Sequence, residues 1–184
     1  MKTANKKLIG LLIIALIQLV FPLVFIEAKE QVISEGKEYL FKIQPVDPYD
    51  FFQGRYVSLN VERLPFQSKS LTQNKRNDIV YAEFKQDSTG AKIEKISQKK
   101  SVNSLKLKLY LTPNQAGKMV FYLPFKRFYL EEYKAKKVER KLANTNSSKN
   151  FVHVKILDGE FVLTDISSNG KSLITGKQVT QPAF

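Results

Sequence analysis

The sequence predicts a mainly β domain, a small antiparallel barrel or curved sheet with one attached α-helix, carried on an N-terminal transmembrane helix. Three observations predict it. Leu8 to Ile26 is a run of 19 residues without a charge, and about 20 apolar residues span a bilayer as a helix. Between Gln31 and Phe184 the apolar residues recur mostly every second position, in short runs bounded by turn residues, as antiparallel strands require. Only the stretch near 130–143 breaks that period with helical spacing. The chain therefore divides into a basic stub at 1–7, an anchor at 8–26 and an exposed domain at 27–184.

The anchor is flanked by Lys2, Lys6 and Lys7 before it and by Glu27, Glu30 and Glu35 after it. Lysines on the near side and acids on the far side orient the N-terminus to the cytoplasm and the domain outside. This makes the expected location a cell membrane, crossed once. A cleaved signal peptide would have an apolar core of about 7–15 residues and a small-residue cleavage site, and Ile26-Glu27-Ala28 is a poor one. A retained anchor in the lipid bilayer is expected.

Tyr39–Gln44, Tyr56–Leu64, Ile79–Gln86 and Ala91–Ser97 read as strands. In Leu105–Leu111, Leu105, Leu107, Leu109 and Leu111 point one way while Lys106, Lys108 and Tyr110 point the other, so one face is core and one is wet. Phe151–Leu157 and Glu160–Ile166 flank Asp158-Gly159, a two-residue link of the type I′ hairpin kind. The helix is expected from near Leu130 to about Ala143. Its acidic start and later Lys136, Lys137, Arg140 and Lys141 suit the helix dipole, and Leu130, Val138 and Leu142 form its apolar stripe. Gln67–Asn77 and Asn144–Ser148 are polar and read as loops.

Composition narrows the function classes. Cysteine is absent from the 184 residues, which removes disulfides, thiolate chemistry and most zinc patterns. Of the net charge of +13, residues 28–87 contribute 0, with nine basic and nine acidic side chains, and residues 88–184 contribute +11, with 18 and 7. A field of that size favours anionic lipid or envelope polymer. Lys134, Lys136, Lys137, Arg140 and Lys141 are its densest cluster. Nucleic acid is disfavoured as a partner, because the predicted topology faces the domain away from the cytoplasm.

The most distinctive stretch is Pro45-Val46-Asp47-Pro48-Tyr49-Asp50-Phe51-Phe52-Gln53-Gly54-Arg55-Tyr56-Val57-Ser58-Leu59. Pro48 stiffens the turn, Asp50 can bond back to its own loop, Gly54 supplies a positive φ, and Tyr56 or Leu59 packs in the core. This stretch resembles the GDYXXLXY family of membrane-anchored proteins through Gly54, Tyr56, Leu59 and the preceding Pro-Val-Asp-Pro-x-Asp run. It departs at Arg55, where the family has Asp, and at Val61, where it has Tyr. Leu123 to Ala135, with Phe128, Tyr129, Glu131 and Glu132, is similar to a second element of some members. The resemblance implies a multi-spanning membrane protein as partner. Arg55 in place of the acid argues that the motif is structural or partner-binding rather than acid/base machinery.

The catalytic inventory is thin. His153, the single histidine, lies on the opposite strand face from Val152, Val154 and Ile156, where packing or surface roles are the common ones. A serine–lysine dyad of the signal-peptidase type lacks its acid at Arg55 and its serine motif. Asp47 and Asp50 form a calcium pair without the further oxygen ligands such sites use. No catalytic residue, metal or cofactor is expected. The favoured function is a membrane-anchored accessory or scaffold protein, and the alternative is a binding module for an anionic envelope polymer or lipid surface.

Overall fold

The computed structural model describes residues 2–44, 56–67, 78–109, 118–143 and 149–179. A single helix, α1 (Lys2–Glu35), runs from the N-terminus directly into the domain. Its large apolar side chains from Leu8 to Ile26 are exposed on all sides, and it is long and apolar enough to cross a membrane. The expected anchor ended at Ile26, with the exposed domain beginning at 27. The helix itself carries on through 27–35, where Val32 is buried (4% exposed).

The strands are β1 (Lys37–Gln44), β2 (Tyr56–Ser58), β3 (Asn60–Val61), β4 (Leu64–Gln67), β5 (Ile79–Asp87), β6 (Gly90–Ser97), β7 (Ser104–Lys108) and β8 (Lys118–Phe121). They continue with β9 (Arg127–Tyr129), β10 (Asn150–Leu157), β11 (Glu160–Ser168) and β12 (Lys171–Ser172), and α2 (Glu132–Ala143) separates β9 from β10. A five-stranded sheet has the order β12-β11-β10-β1-β3, a three-stranded sheet the order β6-β5-β7, and β2-β9 and β4-β8 are two-stranded ribbons. Among the described residues all the strand pairs are antiparallel. The mainly β class with one attached helix is as the sequence predicted.

The hairpin at Asp158-Gly159 forms as expected. Both residues take positive φ, 51° and 82°, the pair of conformations a type I′ turn needs. The tip is then locked onto the other sheet: the Asp158 amide donates to Val102 O, the Gly159 amide to Ser104 O at 2.8 Å and the Lys106 amide to Gly159 O. The core lies between the sheets. Tyr39, Phe41 and Ile43 of β1 and Val152, Val154 and Ile156 of β10 meet Val80, Ala82 and Phe84 of β5 and Leu105 and Leu107 of β7. Rings run through it in sequence, Phe84–Phe41 and Phe41–Phe125 at 5.1 Å and Phe125–Phe161 at 5.4 Å between centroids.

Four expectations need correction. Tyr56–Leu64 is not one strand: β2 pairs with β9, β3 with β1 and β4 with β8, because Leu59 turns into the core between β2 and β3. The strand predicted to reach Leu111 ends at Lys108, after which Leu109 forms an isolated bridge to Phe121, and Tyr110 and Leu111 lie outside the described residues. The second helix starts at Glu132 rather than Leu130, its first turn closed by the Ala135 amide donating to Glu131 O at 2.9 Å. Ala135, Val138 and Leu142 are its buried face, and Leu130 is half-buried beside them. Gln67, expected to open a polar loop, instead ends β4 by pairing with Lys118, and the rest of that loop, 68–77, and the one at 144–148 lie outside the described residues.

Candidate functional site at the anchor junction

The described parts of two stretches singled out by sequence pair with each other. Strand β2 carries Tyr56, strand β9 carries Phe128 and Tyr129, and they pair Tyr56 with Tyr129, Val57 with Phe128 and Ser58 with Arg127. The Leu59 amide extends the pairing by donating to Lys126 O at 2.8 Å. Val57, Leu59 and Phe128 are buried, while Tyr129 is 68% exposed. The Tyr56 ring packs edge-on against Tyr129 at 5.6 Å and lies under the Arg127 guanidinium at 4.6 Å, a cation–π arrangement that holds the charge at the surface. Asp47, Pro48, Asp50 and Gly54 lie outside the described residues.

Glu131 and Glu132 of the second stretch are ion-pair partners at the start of α2. Glu131 meets Lys134 at 3.0 Å and Glu132 meets Lys136 at 2.8 Å. Lys134 and Lys136 are thereby partly neutralised, so the expected basic surface of Lys134, Lys136, Lys137, Arg140 and Lys141 is weaker than its five cations suggest. Sequence spacing carried this signal, since the pairs are three and four residues apart on one helix face.

Below the β2–β9 ribbon is a groove of about 600 Å³, lined by Pro124 to Tyr129 with Phe161 and Leu163 of β11. Its floor is the outer end of the aromatic series, Phe125 against Phe161. Lys126, Arg127 and Tyr129 are exposed at its rim. The helix α1 leaves the domain over β10 and the start of β11. Gly36 sits against the Ile156 backbone, Lys155 Nζ donates to Ile33 O, and Lys29 Nζ meets Glu160 Oε2 at 2.8 Å. Read from Gly36 back to Lys29, the helix passes from β10 to the first residue of β11, next to Phe161. Sequence reasoning missed this junction, because 27–35 was assigned to the domain's start rather than to the helix.

On the other face of the five-stranded sheet His153 is 2% exposed. Its Nδ1 lies 3.3 Å from Glu38 Oε1 and its Nε2 lies 2.8 Å from Ser167 Oγ. A carboxylate only accepts, so the ring donates from Nδ1 to Glu38, and Nε2 is left to the Ser167 hydroxyl. The hydrogen bond from His153 is the main reason the Glu38 carboxyl titrates below its ordinary value, against the opposing effect of burial. Ser167 is 4% exposed on its strand. Glutamate, imidazole and hydroxyl stand in the order of a hydrolytic triad, but the hydroxyl is enclosed within the sheet. Among the described residues no group of three or more His, Asp or Glu is placed to hold a metal ion.

An apolar helix long enough to cross a membrane, running unbroken into an antiparallel β domain, defines the class as a β protein carried on one candidate membrane span. The model of the GDYXXLXY protein family matches residues 18–166. The chain belongs to that family. The match begins within the apolar run and ends in β11, so it takes in the junction, the β2–β9 ribbon and the hairpin together. No curated protein and no solved structure matches the chain.

Proposed function

We propose that this protein is a non-enzymatic accessory protein that holds its β domain at fixed height and orientation on the outer face of a membrane, beside a multi-spanning partner. The observation that carries the reading is the junction. α1 enters the sheet without a linker and is tied by buried Val32, the Lys29–Glu160 ion pair and the Lys155–Ile33 hydrogen bond. A flexible tether suffices to keep a domain near a membrane, and a rigid one adds control of direction. Lysines before the span and acids after it support the outward orientation, and the apolar surface around α1 supports a partner within the bilayer as well as lipid. The burial of Ser167 and its engagement with His153 support a structural role for the triad-like network.

The test is purification of the full-length chain from membranes in mild detergent, alongside a variant with a flexible glycine–serine insert between Ala28 and Lys29. The proposal expects the parent chain to retain a stoichiometric multi-spanning protein at moderate salt, and the insert variant to stay folded and lose it. Retention on anionic polymer that fades as salt rises, with no membrane partner, would favour the binding-module reading instead.

A further inference from the structure

The groove is bordered by two strands whose outer edges carry unpaired backbone. In β11 the phase is set at the hairpin tip, where the Gly159 amide donates to Ser104 O and the Gly159 carbonyl accepts from the Lys106 amide of β7. Backbone groups two residues apart point to the same edge of a strand, so Phe161 and Leu163 direct theirs the same way as Gly159. Among the described residues no backbone bond reaches these outward groups. β7 meets β11 only through the bridge at Gly159, and β12 takes up only Ser167 and Ser168. In β9 the Lys126 carbonyl bonds Leu59 beside β2, so Phe128 also points to β2 while Arg127 and Tyr129 point away from it. Other sheet edges are protected by shortness or charge: β3 and β12 are two residues long, and β6 carries Lys92, Glu94 and Lys95. The free part of β11, Phe161-Val162-Leu163-Thr164, carries no charge and lies within a strand of nine residues. Phe161 and Leu163 line the groove with Phe125.

An open strand edge beside an apolar groove is the arrangement that takes up an extended peptide, with main-chain bonds supplying affinity and alternate side chains filling the groove. The charge at the rim selects the peptide. Lys126 and Arg127 are exposed there, and among the described residues neither is in an ion pair with a carboxylate. A second copy of this chain adding its own β11 would bring the same two cations to the same interface, which like-charge repulsion opposes. We propose that β11 accepts an extended acidic segment of the membrane partner, which adds as a strand along Phe161–Leu163, lays alternate apolar side chains in the groove and sets its carboxylates against Lys126 and Arg127. The Arg127 guanidinium can donate two parallel hydrogen bonds to one carboxylate, and its stacking on Tyr56 limits the side-chain freedom lost on binding. The source of the segment rests on the accessory-protein reading, whereas the strand site rests on the edge and the groove, and the test separates the two.

The experiment is disulfide trapping in the full-length protein, which has no cysteine of its own, held in dodecylmaltoside micelles under a glutathione redox buffer. Leu163→Cys in the groove or Thr89→Cys in the turn between β5 and β6 meets the peptide Glu-Val-Glu-Cys-Glu-Val-Glu. It also meets the same peptide with lysine for glutamate, and the acidic peptide N-methylated at one or the other alternate set of amides. The expected result is capture of the acidic peptide at position 163 and not at 89. The lysine peptide should be captured at least about fivefold less, and Lys126→Gln with Arg127→Gln should remove that difference. One of the two N-methylated peptides should lose at least about tenfold, because it lacks the amides that bond β11. Capture of all the peptides alike, or of none, overturns the strand site. A Leu163→Cys disulfide dimer that excludes the peptide, or release of the peptide by added phosphatidylglycerol, makes the occupant a second copy or a lipid and overturns it as well. The same double substitution in the parent chain, purified from membranes, should release the multi-spanning protein. Peptide capture with that protein still retained overturns the partner as the source and leaves the strand site standing. A retained partner with no peptide capture overturns the strand site and leaves the accessory reading standing.

Discussion

The turn residues were the most legible, because their chemistry is local. Asp158-Gly159 reads as a type I′ hairpin from two letters, and both residues adopt the positive φ it needs. Asn169-Gly170, with φ of 50° and 74°, joins β11 to β12 by the same chemistry, but the two-residue strand after it is too short to show an alternation in the sequence. His153 was legible in direction and not in environment. Alternation places it opposite Val154, but only the pairing of β1, β10 and β11 brings Glu38 and Ser167 to it. This network has a measurable consequence. The Glu38 carboxyl titrates below its ordinary value of 4.5, so it contributes stability at pH above that value, and the contribution is lost as pH falls through the depressed value in the folded protein. Glu38→Gln should therefore lower the melting temperature at neutral pH and flatten its decline on acidification. Equal slopes in circular-dichroism melts of parent and variant between neutral pH and about pH 3 would show that Glu38 is not linked to folding.

At the scale of elements, long regular strands were legible and short ones were not. β5, β6, β10 and β11 lie within a few residues of their expected bounds, since each repeats its alternation several times. Tyr56–Gln67 instead visits three sheets in 12 residues, and a local pattern cannot specify which partner a two- or three-residue strand takes. For the same reason the pairing of β2 with β9, which joins the two motif stretches, appears only in the fold. The end of α1 was hidden differently: Glu27 to Glu35 is polar on most sides, and Val32 is its one buried position, next to the exposed Ile33. Val32→Ala should lower unfolding stability by about 1–2 kcal/mol through lost apolar burial, while Ile33→Ala, at a position 38% exposed, should cost well under half as much. Urea titration of both variants in the full-length chain checks this. Matching midpoints for the two would mean that the helix end is not docked.

The whole molecule combines an apolar rod exposed all round with a β domain whose core is closed, and the two share one continuous helix. Composition and hydropathy made both parts legible, while the rigid join depended on contacts between residues more than a hundred positions apart, such as Lys29 with Glu160. The account's central claim is that this join sets the direction of the domain relative to the membrane. Double electron–electron resonance tests it most directly, with spin labels on Phe21→Cys in α1 and Thr89→Cys in the turn between β5 and β6, in an otherwise cysteine-free chain reconstituted in nanodiscs. The account predicts a single narrow distance distribution that broadens when a glycine–serine insert follows Ala28. A broad distribution in the parent chain, unchanged by the insert, would contradict it.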